Sequence, residues 1–113
     1  YLFASVSGIS KVGSYTGNAG YDVNVDCGFT SGARYILIKN SDGQDDPADS
    51  WYVFNTVRGI SNGNDPYTWL NKSTAETTGT DYIDPYTTGF TVTSSAPAGL
   101  NQTGDTYIFL AIA

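Results

Sequence analysis

Tyr21-Asp-Val-Asn-Val-Asp-Cys27 alternates apolar and polar residues without a break. Successive side chains of a strand point to opposite faces, so Tyr21, Val23, Val25 and Cys27 share one face and Asp22, Asn24 and Asp26 the other. A half-buried antiparallel strand has this pattern. On either side the same period recurs between explicit turn signals. Ser10 to Thr16 precedes it, across Gly17-Asn-Ala-Gly20; Ala33 to Lys39 follows, across Ser31-Gly32. Trp51 to Thr56, Tyr67 to Leu70, Gly89 to Thr93 and Thr106 to Ala113 complete the strand candidates. Ser61-Asn-Gly-Asn-Asp-Pro66 and Asn101-Gln-Thr-Gly-Asp105 supply further turns. About eight short strands predict an all-β fold, an antiparallel β-sandwich of jelly-roll or lectin-like type. Ala33 to Lys39 (ARYILIK) is a continuous apolar run, which suits a central strand covered on both sides. Ser73-Thr-Ala-Glu76 has capping-box spacing, but no apolar stripe follows it, so a turn or one short 3₁₀ segment is the most it predicts.

The large residues for a core are aromatic: nine Tyr, five Phe and two Trp. Tyr35, Leu37, Trp51 and Phe90 are expected in that core, with Ile108 and Leu110 in the contacts of the last strand. Cys27, on the apolar face of its strand, is expected to be a buried and inert thiol. As the single cysteine it excludes an intrachain disulfide. Five Lys and Arg stand against eleven Asp and Glu. That balance opposes nucleic-acid binding, which needs a basic footprint, and opposes anionic membrane surfaces. No apolar run approaches the roughly 18 to 20 residues of a membrane span.

Catalytic machinery is hard to place. The chain has no His, which removes Ser-His and Cys-His nucleophile pairs and His-based metal sites. Glu76 is the single Glu. Asp81 and Asp84 flank Tyr82-Ile83 in what reads as turn sequence, where carboxylates bond to nearby backbone amides. Polysaccharide hydrolysis, which needs two carboxylates across a cleft, is therefore not expected, nor is any other enzymatic activity. Two binding sites are candidates. Asp42, Asp45, Asp46 and Asp49 crowd one loop, and closely spaced oxygens suit calcium; a solvated acidic loop explains the same residues. No other cofactor is implied. Tyr67, Trp69 and Tyr86 with Asn64 and Asp65 are the best candidates for a sugar surface, in which rings stack on the sugar and short polar groups bond its hydroxyls. Core packing is the competing reading of those aromatic residues. Asn71-Lys-Ser73 and Asn101-Gln-Thr103 fit the glycosylation sequon.

The two ends carry nearly the same strand, Tyr1-Leu-Phe-Ala-Ser-Val6 and Tyr107-Ile-Phe-Leu-Ala-Ile112. One sandwich has little use for both. Residues 1–8 are therefore expected to end a preceding repeat or to dock on a neighbour, with Leu2, Phe3 and Val6 as the assembly residues, and residues 9–113 to form a single sandwich domain. Met is absent, as in a piece of something longer.

Taken in order, Gly13-Ser-Tyr-Thr-Gly-Asn18, Asp26-Cys-Gly-Phe29, Ala33 to Lys39, Asp49-Ser-Trp-Tyr-Val-Phe-Asn-Thr-Val-Arg-Gly59 and Asn64-Asp-Pro-Tyr67 resemble a β-sandwich domain of tailed-phage and prophage virion proteins. Leu70-Asn71, Ser73 to Glu76, Gly89 to Val92 and Gly104 to Ala113 extend the resemblance over nearly the whole chain. Gln44 to Ala48 depart from it as an insertion. The resemblance implies a lectin-like sandwich in a tail fibre or other virion protein, marine phages prominent among the carriers, and brings no catalytic residues. It implies a virion or extracellular setting. The partners it implies are neighbouring copies or adjacent domains, with host-surface glycans as further ligands. A subunit of an extracellular filament built by β-strand addition and a carbohydrate-binding module are the alternative functions.

Overall fold

The alternation becomes two antiparallel sheets in a computed structural model, which describes residues 3–43 and 50–113. Among these residues eight strands form: β1 (Ser10–Thr16), β2 (Val23–Asp26), β3 (Tyr35–Asn40), β4 (Tyr52–Asn55), β5 (Thr68–Trp69), β6 (Ile83–Tyr86), β7 (Gly89–Val92) and β8 (Thr106–Ile112). The first sheet has the order β1-β8-β3-β4-β5, the second β2-β7-β6. The all-β reading therefore holds, and the sheets bury their facing sides against each other. Ile36, Ile38, Tyr52, Phe54, Tyr107 and Phe109 of the five-stranded sheet meet Val25, Ile83, Phe90 and Val92 of the three-stranded one.

Several local expectations are corrected. Tyr21 lies outside β2 and is exposed, because the strand begins at Val23, whereas Val25 and Cys27 are buried as their alternation requires. Tyr35 and Trp51 are not core residues; strand parity puts them on the outer side of the five-stranded sheet, with Leu37 between them in the pattern. The segment read as a turn around Asp84 is strand β6. It tolerates Pro85 because it is the edge of its sheet, where a missing N–H costs no ladder bond. Ser73 to Thr78 forms no helix; Thr77 instead bridges Tyr67.

The helical turn falls elsewhere, at α1 (Ala98–Asn101), and long-range hydrogen bonds hold it. The Tyr15 hydroxyl donates to the Leu100 carbonyl at 2.8 Å. The Tyr107 hydroxyl donates to the Ala98 carbonyl and accepts from the Gln102 amide. The two rings stack with centroids 5.0 Å apart. Burial pushes the Tyr15 hydroxyl well above its ordinary value of 10, so it stays a donor. Asn101 is buried, accepts from the Asn18 amide, and donates to the carbonyls of Tyr21 and Thr93. It is therefore no site for a glycan, despite its sequon.

Candidate functional site

Three carboxylates that the sequence placed in two separate turn segments converge. Oxygens of Asp65, Asp81 and Asp84 lie within 4.8 Å of one another. Asp65 is fully buried. Its Oδ1 accepts from the Ser61 amide at 3.0 Å, and its Oδ2 from the amides of Tyr82 and Ile83, both at 3.0 Å. Burial raises its ionisation above the ordinary 3.8, the three amides oppose that, and Asp81 adds to it. Asp81 accepts from the Gly63 amide, and the Asn64 side chain accepts from Gly79. The cluster thus ties the turn at 61–65 to the start of β6. Among the described residues this is the group whose spacing suits a cation, yet both Asp65 oxygens already serve backbone donors. The geometry defines a structural knot.

The sugar candidates are not brought together. Tyr67 is buried among Tyr52, Phe54, Trp69 and Tyr82, with ring centroids 5.1 to 5.8 Å away, and Asp65 is sealed in the knot. Neither presents a surface to a sugar. Trp69 is half-buried at the edge of that cluster, with the Lys72 ammonium 4.9 Å from its ring centre. Asn64 is exposed; Tyr86 lines a separate shallow groove with Thr30 to Ala33. Of the calcium candidates, Asp45, Asp46 and Asp49 lie outside the described residues. Asp42 is exposed, its amide bonded to the Asn40 side chain and its Oδ2 accepting from the Thr106 amide. Of the assembly residues, Leu2 lies outside the described residues, while Phe3 and Val6 are exposed. The Phe3 to Val6 segment runs back along β1: the Ser5 Oγ accepts from the Val12 amide at 3.0 Å, and the Ser10 hydroxyl donates to the Ala4 carbonyl.

The surface with the plainest chemical character is the outer side of the five-stranded sheet. Register aligns Val12 with Leu110, Leu110 with Leu37, and Leu37 with Val53, an apolar band across four strands. Ile108 and Trp51 flank it on one side, Ile112 and Tyr35 on the other. The groove that these residues other than Val53 line, with Phe3 and Leu70 at its margins, holds about 740 Å³. None of its lining residues is charged; Lys39, in register with Ile108, stands beside it with its ammonium 5.8 Å from the Trp51 ring centre. The opposite outer surface is different. There Asn24, Thr91 and Asp84 align, with Asp26 also on that side of β2, and the Thr91 hydroxyl donates to the Asn24 side chain. Individual residues of the apolar band were legible as strand residues. The signal that could have revealed the face is that β3 and β8 are apolar at both parities, and the second parity finds no cover among the described residues.

Over its whole length, residues 1–113, the chain matches the family described as domain of unknown function (DUF7483), and it belongs to that family. No curated protein and no solved structure matches it. Among the described residues no helix is long and apolar enough to cross a membrane.

Proposed function

We propose that the chain is a non-enzymatic structural module of a virion or other extracellular particle, part of a tail fibre or comparable appendage, contributing to assembly and host-surface recognition. The observation that carries this reading is the apolar outer side of the five-stranded sheet, which finds no cover among the described residues. An antiparallel sheet that faces water on one side alternates polar residues onto that side. Here the outward positions of β8 and β3 are apolar at Ile108, Leu110, Ile112, Tyr35 and Leu37, with Thr106 and Lys39 as the polar residues at one end of the two strands. Such a sheet fits a module held among neighbours. The sequence resemblance to virion sandwich domains supports the setting, and the engagement of both Asp65 oxygens by backbone amides supports a structural role for that carboxylate.

The test is mass spectrometry of purified particles from the source organism's virions, with immunogold labelling in negative stain. Label on an appendage is expected. Recovery of the chain free of any particle would overturn the reading. A second reading, a filament subunit joined by strand addition, is favoured by the Phe3 to Val6 segment lying against the β1 edge. A peptide of Tyr1 to Ser7 that binds in trans to a chain lacking those residues would favour it over the first.

A further inference from the structure

We infer that the outer side of the five-stranded sheet is covered by the same side of a second copy of this chain, sheet on sheet, about a two-fold axis. This rests on the assembly reading above and names its partner and its surface. The size of the patch is the first argument. Phe3 is 59% exposed and Leu70 65%; Val12, Ile108 and Ile112 are each exposed by about two fifths. At roughly 150–200 Å² for a large side chain, these, with the partly covered Tyr35, Trp51 and Val53, present about 600 Å² of apolar surface. A monomer seldom leaves a larger contiguous apolar patch in water than roughly 300–600 Å². Two such faces together bury about 1,200 Å², the lower bound of specific interfaces.

The distribution of charge permits this occupant. The chain has a net charge of −6, so a second copy is repelled wherever carboxylates meet. The apolar groove has no carboxylate in its lining, and the cation beside it, Lys39, sits at its flank over the Trp51 ring rather than within it. Asp22, Asp26 and Asp84 belong to the three-stranded sheet and the approach to it, on the far side of the molecule. Packing the two apolar sides together stacks four sheets about 10 Å apart. The two acidic outer faces then stand about 30 Å from each other, several times the Debye length of about 8 Å at physiological salt. Sheet geometry allows it too, because two twisted antiparallel sheets pack readily at about −30°. A two-fold contact also makes each apolar band its own complement.

Sedimentation equilibrium of the chain from about 1 to 100 µM tests this, a range set by the modest area. A reversible dimer is expected, unchanged or tightened at 0.5 M NaCl, since the contact is apolar and the long-range repulsion is screened. Leu70→Lys with Ile108→Lys is expected to weaken association at least tenfold while leaving the circular dichroism spectrum unchanged, both side chains being exposed. Val57→Lys, at a 94% exposed residue off this face, is expected to change nothing. A monomer throughout the range overturns the inference, as does a dimer insensitive to the paired substitution or broken by Val57→Lys. The particle experiment is read separately: a monomeric chain still found on an appendage leaves the assembly reading standing with another component on this face.

Discussion

Cys27 carries a thiol that burial pushes up to about 11, the Asp26 carboxylate adding to the shift and Lys11 opposing it. At neutral pH it is a thiol, so native protein is expected to react with a bulky disulfide reagent at least a hundredfold more slowly than unfolded protein, with full reaction in denaturant. Fast native labelling would show that its strand opens. Its burial was legible, because alternation placed it beside Val25. Lys11 was not, since it approaches through the fold rather than along the chain. Gly89 makes the same point more sharply. A Cβ there would stand 1.9 Å from the Val25 carbonyl oxygen and 3.1 Å from the Cys27 amide nitrogen, both backbone atoms that cannot swing aside. Gly89→Ala is therefore expected to cost about 1–3 kcal/mol or more, read as a lowered denaturation midpoint at unchanged slope. In sequence Gly89 opens a strand like any turn residue. The atom that demands glycine lies on another strand.

Strand β6 shows why the edges of elements were harder to read than their centres. Asp84-Pro85 has turn composition, and only pairing with β7 along an otherwise open edge makes it a strand. Its Asp84 ionises above the ordinary 3.8, chiefly through burial and then through Asp81 and Asp65; its Oδ1 is buried without a hydrogen-bond partner among the described residues. Asp65 is raised likewise, burial again leading. An acid that ionises less readily in the fold binds more protons there than in the unfolded chain between the two values, so stability falls as pH rises through that interval. Melting temperature is thus expected to rise as pH is lowered from neutrality toward the ordinary carboxylate value of 3.8, and Asp84→Asn to flatten that rise. A variant melting with the parent's full pH dependence would remove Asp84 from the account. The α1 turn was also missed, because its supports come from β1 and β8 rather than from its own sequence. Asn101→Ala strips three backbone groups of their partner. It is expected to cost about 2–4 kcal/mol, since a group left buried costs about 1–3 and only the bond to the Thr93 carbonyl is fully buried, the other two being part-buried.

At the scale of the whole molecule the two outer surfaces obey different rules, polar over the three-stranded sheet and apolar over the five-stranded one. The sequence carried half of this. The apolar run through β3 already read as a strand covered on both sides, and the inner cover is the three-stranded sheet. The outer side was out of reach because an apolar band across β1, β8, β3 and β4 exists only once their register is known. The N-terminal segment meets this surface at its margin. Phe3 lines the groove while remaining 59% exposed, and Val6 is bonded to Ser10 beyond the edge of β1. Deleting residues 1–7 removes the two hydrogen bonds through Ser5, the one from the Ser10 hydroxyl to the Ala4 carbonyl, the three backbone bonds of Val6 with Ile9 and Ser10, and the part-burial of Phe3, while the residues of the core cluster all lie after this segment. A net hydrogen bond contributes about 0.5–1.5 kcal/mol, and two-fifths of a phenylalanine's burial about 1 kcal/mol. With these exposed bonds at the low end of that range, the shortened chain is expected to keep its circular dichroism spectrum and to lose about 4 kcal/mol, or roughly 15–25 °C in melting temperature for a domain of this size. Loss of Phe3 also opens one margin of the groove, so an environment-sensitive apolar dye is expected to bind the shortened chain more strongly at low protein concentration. Complete unfolding on deletion would mean that the first residues belong to the sandwich itself. Unchanged stability and dye binding would mean that Phe3 has no part in covering the face.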